Sequence, residues 1–307
     1  MTLPGVTGNA GIDYIAVDDA HGKVWVPSSA AGTVFIIDTS TKNVARLDGF
    51  EHTERDAGNG RKRVVGPNAV SIGGDFAYVG DRANNEICVV DAAKIEKKKC
   101  LKLPTSTDGV AYVRSAKEVW VTTPRDKSLT VLDASKPGAL EKKTVVKTDG
   151  ATEGYAVDED HGLFFTNLED KDATLVVDVK THAVTATWKP SCGAEGPRGL
   201  AYDAKHRFVV VACTDHLQVL DAGHDGAALG RLETGAGVDN IDVVEGNVYA
   251  ASGKTAKITV ASIDDKGQLA VVATGATSDG ARNAVADAKG TAYVADSPGA
   301  RIFVMSR

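Results

Sequence analysis

Short apolar stretches recur along the whole chain, and most of them alternate between apolar and polar residues. Each repeat opens with a small or glycine-rich lead and a strand-like phrase, as in GIDYIAVD at 11–18 and PRGLAYD at 197–203. A second apolar stretch follows about eight to ten residues later, then a third, then a more polar fourth, all bounded by Gly, Asp and Asn turns. No segment sustains the 3.6-residue period of an amphipathic helix, so the pattern predicts an all-β protein.

The four-strand unit occurs seven times, at a spacing of about 40–45 residues apart from an insertion after the first unit. Four strands at this period predict a seven-bladed β-propeller with four-stranded antiparallel blades, forming a single domain over residues 1–307. The seventh unit stops after its third strand, at RIFVMSR, so the N-terminal residues should supply its outer strand and close the ring. The predicted blades are 10–50, 66–104, 107–148, 150–191, 196–234, 237–275, and 280–307 together with 1–9.

Charge and length exclude several classes of partner. The 307 residues carry 35 Lys and Arg against 41 Asp and Glu, a formal net charge of −6, which argues against a basic surface for nucleic acid. No apolar run approaches the roughly 18 residues of a membrane-spanning segment. The N-terminus shows neither the basic region nor the apolar core of a signal peptide. We therefore expect a monomer without a membrane span or a nucleic-acid partner.

Polar residues open the innermost strand of every unit. These strands converge on the axis of a propeller, so their opening side chains should form a rim around the channel mouth: Asp13, Asn68, Asp108, Glu153, Arg198, Asp239 and Arg282. The residues that end the second strands should form a second tier: Ser28, Asp81, Thr123, Asn167, Cys213, Ser252 and Asp296. Like charges at close range cost free energy unless they are paired or bind an ion, so this composition favours a ligand site. Structural water and internal salt bridges remain the alternative.

The rim divides into two kinds of chemistry. Four carboxylates are hard oxygen ligands suited to Ca²⁺ or Mg²⁺, namely Asp13, Asp108, Glu153 and Asp239. Arginines suit a carboxylate or a phosphate, and Arg198, Arg282, Arg82 and Arg125 all lie on the same predicted face. We expect a small polar or anionic ligand at the mouth. The candidate binding residues are Asp13, Asn68, Asp81, Arg82, Asp108, Glu153, Asn167, Arg198, Asp239 and Arg282.

Most of the histidines fall on the face opposite the predicted site. His21, His161 and His206 occupy first turns, and His182 and His224 occupy turns between third and fourth strands. Only His52 and His216 fall on the candidate face, so these two and Glu153 are the candidate catalytic residues. The insertion at 49–66 overhangs the same mouth. Its charges and its Gly58–Asn59–Gly60 hinge suit either a mobile lid or a solvated loop.

Four cysteines allow two disulfides. Cys88 and Cys100 lie symmetrically about the turn of one hairpin, whereas Cys192 and Cys213 both lie on the mouth face of the fifth unit. Two plausible pairings favour an oxidising compartment.

The repeats resemble the YVTN-type, YncE-like β-propeller family. The resemblance rests on GIDYIAVDDAHGKVWV…GTVFIIDTSTKNV and on its echoes AVDEDHGLFFT…TLVVDVKTHAV and GLAYDAKHRFVVVACTDHLQVLD. Members of that family are commonly exported from bacterial cells, which implies a periplasmic or secreted protein. A more distant resemblance is to gluconolactonase-type and streptogramin-lyase-type propellers, which hold a divalent metal at the channel mouth. None of their metal-ligand motifs is matched here position by position.

Three functions follow from these patterns. The first is a propeller that binds a small polar or anionic molecule at its mouth. The second is a metal-assisted hydrolase or lyase that acts on a lactone-like substrate, with a rim carboxylate or His216 as the base. The third is a platform for protein interactions, against which the 6% aromatic content and the charged loops of the mouth face count.

Overall fold

The structure is a computed structural model that describes residues 1–56, 60 and 62–306. Strands dominate, and the only helical segments in this part of the chain are two single 3₁₀ turns, Pro124–Asp126 and Gly253–Thr255. Seven antiparallel sheets follow one another along the sequence, which confirms the predicted seven-bladed propeller. The described residues contain no helix long and apolar enough to cross a membrane.

In each blade the strands are hydrogen-bonded in the order of the sequence. Blade 1 is β1 (Ala16–Asp18), β2 (Lys23–Ser28), β3 (Thr33–Asp38) and β4 (Val44–Leu47). A separate hairpin follows, β5 (Thr53–Asp56) and β6 (Lys62–Val65). Blade 2 is β7 (Pro67–Gly73), β8 (Phe76–Asp81), β9 (Glu86–Asp91) and β10 (Glu96–Lys102). Blade 3 is β11 (Val110–Val113), β12 (Glu118–Thr123), β13 (Ser128–Asp133) and β14 (Glu141–Lys147).

The second half of the ring repeats this pattern. Blade 4 is β15 (Thr152–Asp158), β16 (Leu163–Leu168), β17 (Ala173–Asp178) and β18 (Ala183–Trp188). Blade 5 is β19 (Pro197–Asp203), β20 (Phe208–Cys213), β21 (His216–Asp221) and β22 (Ala227–Glu233). Blade 6 is β23 (Asp242–Val244), β24 (Asn247–Ser252), β25 (Lys257–Ile263) and β26 (Leu269–Ala276). Blade 7 is β27 (Asn283–Ala286), β28 (Ala292–Asp296) and β29 (Arg301–Met305).

The period of two in the strands determines where the core lies. Successive side chains point to opposite faces of a blade, so neighbouring residues of one strand enter the two flanking interfaces. In β16, Phe164 packs with blade 3 and Phe165 packs with blade 5. Across the described residues, seven clusters of buried apolar side chains result, one between each pair of adjacent blades.

The N-terminal residues close the ring as predicted. Thr2 forms an antiparallel bridge with Arg301 of β29, and the Leu3 N–H donates to the Ala300 carbonyl at 2.9 Å. The Leu3 side chain is 2% exposed and lies in the apolar cluster between blades 7 and 1. Because the first residues of the chain complete the last blade, blade 7 gains an outer strand segment and the ring has no open gap.

The insertion after blade 1 forms a hairpin rather than an irregular loop. Strands β5 and β6 pair from Thr53 with Val65 to Asp56 with Lys62. Of the predicted hinge Gly58–Asn59–Gly60, only Gly60 falls within the described residues, and the lid prediction therefore stays a prediction.

Both predicted disulfides are present. Cys88 of β9 is bonded to Cys100 of β10, and Cys192, in the loop before blade 5, is bonded to Cys213 at the end of β20. Two disulfides in one chain are consistent with an oxidising compartment.

Candidate functional site

A cavity of about 750 Å³ opens at the centre of one face of the ring. We call it the mouth cavity. The loops that line it join second to third strands or one blade to the next, which is the face that the strand order predicts. Of the predicted rim, six residues line it: Asp13, Asp108, Glu153, Arg198, Asp239 and Arg282. Arg82 and Arg125, predicted from the neighbouring loops, line it as well.

The mouth cavity is densely charged. Among the described residues, its lining includes seven carboxylates and seven cationic side chains. The carboxylates are Asp13, Asp108, Glu153, Glu169, Glu195, Asp239 and Asp279. The cations are Arg55, Arg63, Arg82, Arg125, Arg198, Lys254 and Arg282.

Arg82 joins two blades by ion pairs across the rim. Its guanidinium Nη2 lies 3.1 Å from Asp13 Oδ2 and also contacts Asp108 Oδ1. Its Nε donates to the Thr107 carbonyl at 3.1 Å. The Arg82 side chain is only 14% exposed, so one guanidinium pairs with two carboxylates in a largely desolvated place. Arg82 therefore has a structural role in the rim, whatever else it binds.

Two further arginines of the rim are paired with carboxylates. Arg282 Nε lies 3.0 Å from Asp239 Oδ2, and Arg198 Nη1 lies 2.6 Å from Glu169 Oε2. Burial raises the pKa of Asp239 to about 6 even though the Arg282 guanidinium opposes that shift. The rim thus contains the internal salt bridges that the sequence left open as an alternative.

Glu153 has no arginine partner among the described residues. Its Oε1 accepts a hydrogen bond from the Tyr14 hydroxyl at 3.4 Å. Burial and the neighbouring carboxylates of Asp239, Glu169 and Asp13 together raise the pKa of Glu153 to about 8, with Arg82 opposing the shift. At neutral pH the Glu153 carboxyl is therefore mostly protonated.

A pair of stacked tyrosines lies next to Glu153. Tyr14 of blade 1 and Tyr155 of blade 4 come from opposite sides of the ring, and their rings stack with centroids 5.8 Å apart. Both tyrosines line a second cavity of about 310 Å³. The Tyr14 hydroxyl, which contacts Glu153, connects this pair to the mouth.

Arg63 reaches the mouth from the hairpin β5–β6. It lines the mouth cavity and has no ion-pair partner within the described part of the chain. Partial burial lowers the pKa of its guanidinium, and the positive charges of Arg82, Arg125 and Arg282 lower it as well, while the Asp13 carboxylate opposes them. Arg125, in the 3₁₀ turn Pro124–Asp126, likewise forms no ion pair with a described residue. Arg63 and Arg125 therefore line the cavity without an ion-pair partner among the residues that the structure describes.

Three candidate binding residues lie outside the cavity. Asn68 Nδ2 donates to the Asp108 carbonyl at 2.8 Å, and Asn167 Nδ2 donates to the Arg198 carbonyl at 2.7 Å. Both amides are buried and connect neighbouring blades. Asp81 is also buried and accepts a hydrogen bond from the Ala83 N–H at 2.8 Å; burial raises the pKa of its carboxyl to about 6. The whole second tier is buried in the same way.

The histidines do not meet at the mouth cavity. His216 is 2% exposed with its Nδ1 2.6 Å from Asp215 Oδ1, and His52 is exposed beside Gly32. In three first turns a histidine Nδ1 lies 2.6–2.9 Å from the aspartate three residues earlier, the pairs being His21 with Asp18, His161 with Asp158 and His206 with Asp203. These three side chains stabilise turns on the opposite face. Of the candidate catalytic residues, only Glu153 lines the mouth.

Three of the four candidate metal ligands are paired with arginines. Asp13 and Asp108 both contact Arg82, and Asp239 contacts Arg282. The one group of three metal-ligating residues that the described chain brings within 4.8 Å consists of Glu86 and the disulfide-bonded Cys88 and Cys100, whose sulfurs are not thiolates. A divalent ion at the rim would have to displace Arg82 or Arg282 from its carboxylates.

Four charged residues that line the mouth cavity were not predicted from the sequence, namely Glu169, Glu195, Lys254 and Asp279. Their positions in the repeats could have indicated them. Glu169 and Lys254 stand two residues after the second-tier residues of their blades, Asn167 and Ser252. Arg125 has the same position relative to Thr123. Extending the alignment of the repeats by two residues would have found them. Glu195 and Asp279 each precede a rim arginine by three residues, in the loops that enter blades 5 and 7.

Comparisons with known proteins agree with the fold. The family model described as the LVIVD repeat matches residues 68–93, which span the first three strands of blade 2. The sequence matches none of the curated proteins. A structure of Kuenenia stuttgartiensis hydrazine synthase is similar over 99% of both chains, with a TM-score of 0.79 and 15% identity. A chain of the mitotic checkpoint complex is similar over 97% of this chain and 90% of its own, with a TM-score of 0.77 and 13% identity.

A third similar structure is the β-propeller domain of Myceliophteria thermophila Cps50 (Swd1), with a TM-score of 0.75, 11% identity, and coverage of 100% of this chain and 99% of the other. At these identities the likeness concerns the fold alone. Together with the LVIVD match, it places the chain among β-propeller repeat proteins.

Proposed function

We propose that this protein is a binding protein for a small organic anion, which it holds in the mouth cavity. The observation that carries the proposal is the presence of Arg63 and Arg125 without ion-pair partners among the described residues of a concave, charged cavity. Unpaired guanidinium groups near other cations raise the free energy of the empty site, and a carboxylate or phosphate would lower it by accepting charge-assisted hydrogen bonds.

The dimensions of the mouth cavity support a small molecule. Ligand sites of small molecules typically measure roughly 300–1,000 Å³, and this cavity of about 750 Å³ falls in that range. Its position at the centre of the ring allows side chains from most of the blades to contact one ligand. Binding in the mouth cavity would therefore depend on the arrangement of the whole ring.

We also propose that the protein is exported, as in the YVTN-type, YncE-like family that its repeats resemble. Two disulfides support an oxidising compartment. The predicted periplasmic or secreted location would be tested by fractionating cells that express the full gene and probing for the oxidised protein.

A thermal-shift screen of small carboxylates, phosphates and sulfonates, followed by calorimetry of the best binder, tests the binding proposal. We expect the double variant Arg63→Gln/Arg125→Gln to bind that anion at least tenfold more weakly than the wild type. Lys180→Gln is the matched control, because Lys180 is exposed on the opposite face and does not line the mouth. The proposal fails if no organic anion binds, or if the double variant binds as well as the control.

The metal-assisted hydrolase predicted from the rim carboxylates stays a prediction. Because Arg82 and Arg282 already form ion pairs with three of the four carboxylates, we expect that millimolar Ca²⁺ or Mg²⁺ leaves the melting temperature unchanged. A rise in melting temperature that EDTA reverses would favour the metal-dependent alternative.

The mouth face offers little support for a protein-interaction platform. The exposed large apolar residues within the described chain are Val145, Val184, Val271 and Val272, and all four lie on the outer strands β14, β18 and β26. Protein interfaces usually bury aromatic and aliphatic anchors at their centre. The charged mouth is therefore better suited to a small ion than to a protein surface.

A further inference from the structure

We propose that the ligand of the mouth is a zwitterion, with its oxyanion held beneath the hairpin by Arg63, Arg82 and Arg282 and its ammonium group held at Glu153 and Asp239. This inference rests on the proposed function, because it names the class of molecule that the same site binds. It follows from an excess of cations beside the hairpin and a concentration of carboxylates around Glu153.

The positive end lies beside the hairpin β5–β6. A cavity of about 580 Å³ adjoins the mouth cavity there and shares Asp13, Arg63, Arg82 and Arg282 with it. Lys62 of the same hairpin also lines this adjoining cavity. Asp13 is the only carboxylate among its described lining residues, so the cations outnumber it.

The convergence of these guanidinium groups is what points to an anion. Arg82 contacts Asp13 through Nη2, and Arg282 contacts Asp239 through Nε. Arg63, in contrast, forms no ion pair with a described carboxylate. Partial burial lowers the pKa of the Arg63 guanidinium, and the positive charges of Arg82 and Arg282 lower it as well, while the Asp13 carboxylate opposes them. An oxyanion between the three groups would relieve this repulsion and leave the internal ion pairs in place.

The negative end is centred on Glu153, in β15 of blade 4. Glu153 is crowded by the carboxylates of Asp239, Glu169 and Asp13, and the Tyr14 hydroxyl is its hydrogen-bond partner within the described residues. The charges of Arg82 and Arg282 act on Glu153, but both arginines are engaged by other carboxylates. A protonated Glu153 carboxyl beside Asp239 can receive an ammonium group by giving up its proton.

Two oxyanions fit the positive end, namely a planar carboxylate and a tetrahedral sulfonate or phosphate. Guanidinium groups bind both through two or more oxygens. The experiment therefore uses one zwitterion of each kind together with its separate halves. The carboxylate set is β-alanine and propionate, the sulfonate set is taurine and ethanesulfonate, and ethylamine is the cationic half of both.

Calorimetry at pH 7 measures the affinity of the wild type for these five probes. We expect at least one zwitterion to bind at least tenfold more tightly than its anionic half and than ethylamine. The better of the two zwitterions identifies the oxyanion. Glu153→Gln, which keeps the shape of the side chain, should reduce the affinity for the zwitterion to that of its anionic half, while Arg63→Gln should weaken both.

Proton release provides a second readout that a purely structural role of Glu153 would not give. Because the pKa of Glu153 is about 8 in the empty site, an ammonium group that binds there should ionise it and release protons at pH 7. The number released is obtained by repeating the titration in buffers of different ionisation enthalpy. None of the probes titrates near pH 7, so the protons come from the protein. Glu153→Gln should abolish most of the release.

The outcomes separate this inference from the proposed function. If propionate or ethanesulfonate binds as tightly as its zwitterion, or if Glu153→Gln leaves the preference for the zwitterion unchanged, the zwitterion proposal is wrong and anion binding stands. If none of the oxyanions binds and the wider anion screen also finds nothing, the proposed function itself is wrong. Lys180→Gln should behave as the wild type throughout.

Discussion

Arg82 and Arg63 lie in the same cavity but differ in what surrounds them. Arg82 is 14% exposed and contacts two carboxylates, whereas Arg63 is exposed on the hairpin and forms no ion pair with a described residue. Removing one member of a buried ion pair leaves the other charge desolvated and uncompensated, while removing an unpaired surface charge costs little. Substitution of Arg82 should therefore lower the stability of the fold, whereas substitution of Arg63 should weaken ligand binding with little effect on stability.

We predict that Arg82→Met lowers the free energy of unfolding by about 2–3 kcal/mol, because Asp13 and Asp108 lose their common partner. Arg63→Met should change it by less than about 0.5 kcal/mol. Urea unfolding of both variants at pH 7 and constant salt measures the difference. Equal losses in the two variants would contradict the assignment of Arg82 to structure and Arg63 to binding.

Glu153 makes stability depend on pH in a direction that is unusual for a carboxylate. Its pKa is about 8 in the folded protein and near 4.5 when exposed, so the folded state holds more protons between these values. The stabilising effect of this proton is fully present below about pH 4.5 and is lost progressively as the pH rises from there through 8.

We expect Glu153 to contribute about 2 kcal/mol of additional stability at pH 6 relative to pH 8. Glu153→Gln cannot ionise, so it should lose most of this pH dependence while remaining folded. Urea unfolding of the wild type and the variant at both pH values measures the effect. If the variant kept the full slope, the carboxyl would not be protonated in the folded protein.

At the residue scale, the sequence predicted where polar side chains would stand but not all of their directions. Each rim residue opens an innermost strand, and a strand start fixes its place near the axis. Asn68 shares that place, yet its amide turns toward the Asp108 carbonyl of the next blade. A buried carbonyl outside the strand pairing requires a hydrogen-bond donor, and a side chain of a neighbouring blade can supply it. The local sequence pattern does not show which side chain that will be.

At the element scale, the glycines that follow rim residues allow the blades to meet near the axis. A Cβ atom on Gly154 would lie 2.4 Å from the Arg198 carbonyl, and one on Gly199 would lie 2.5 Å from the Asp239 carbonyl. The segments TEG and PRG therefore have two roles. The charged residue of each, Glu153 or Arg198, lines the mouth, and the glycine that follows it allows close packing of the blades. The repeat pattern predicted these strands, since every unit contains the same order of apolar and turn residues.

The hairpin β5–β6 was predicted only as an insertion. Its residues alternate in charge rather than in hydrophobicity, so the period that identifies a strand is absent. The two strands β5 and β6 are held together by pairing with each other rather than by burial of apolar side chains. Its contribution of Arg63 to the mouth could be anticipated from its position but not from its pattern.

The Cys192–Cys213 disulfide ties the loop before blade 5 to the end of β20 and encloses a sequence separation of 21 residues. Chain-entropy arguments give a stabilisation of about 3 kcal/mol for a loop of this size. We predict that Cys192→Ala/Cys213→Ala lowers the free energy of unfolding by about that amount and leaves the fold intact. Urea unfolding without reductant measures it, with circular dichroism as the check on the fold. A loss close to zero would show that the bridge adds no stability.

At the scale of the whole molecule, ring closure joins residues that are far apart in sequence. Leu3 packs against Tyr293 and Ile302 of blade 7 in the cluster that also contains Phe35 of blade 1. Seven similar interfaces surround the axis, so opening one exposes two blade faces at once. The sequence predicted this closure from a missing fourth strand, which only a closed ring can explain.

We predict that Leu3→Ala lowers the free energy of unfolding by about 2–4 kcal/mol, because it leaves a cavity between blades 7 and 1. Val271→Ala is the control, since Val271 is 50% exposed on the outer strand of blade 6 and should cost little. Urea unfolding compares them under one set of conditions. If Leu3→Ala cost no more than the control, the N-terminal segment would not be closing the ring.

The central claim is that the ring brings distant charged residues together to hold a small oxyanion, and anomalous diffraction tests it most directly. Crystals soaked in selenate should show a selenium peak bounded by Arg63, Arg82 and Arg282, and crystals of Arg63→Gln should lack it. Selenium peaks found only elsewhere on the molecule, or a mouth peak that persists unchanged in Arg63→Gln, would contradict the claim.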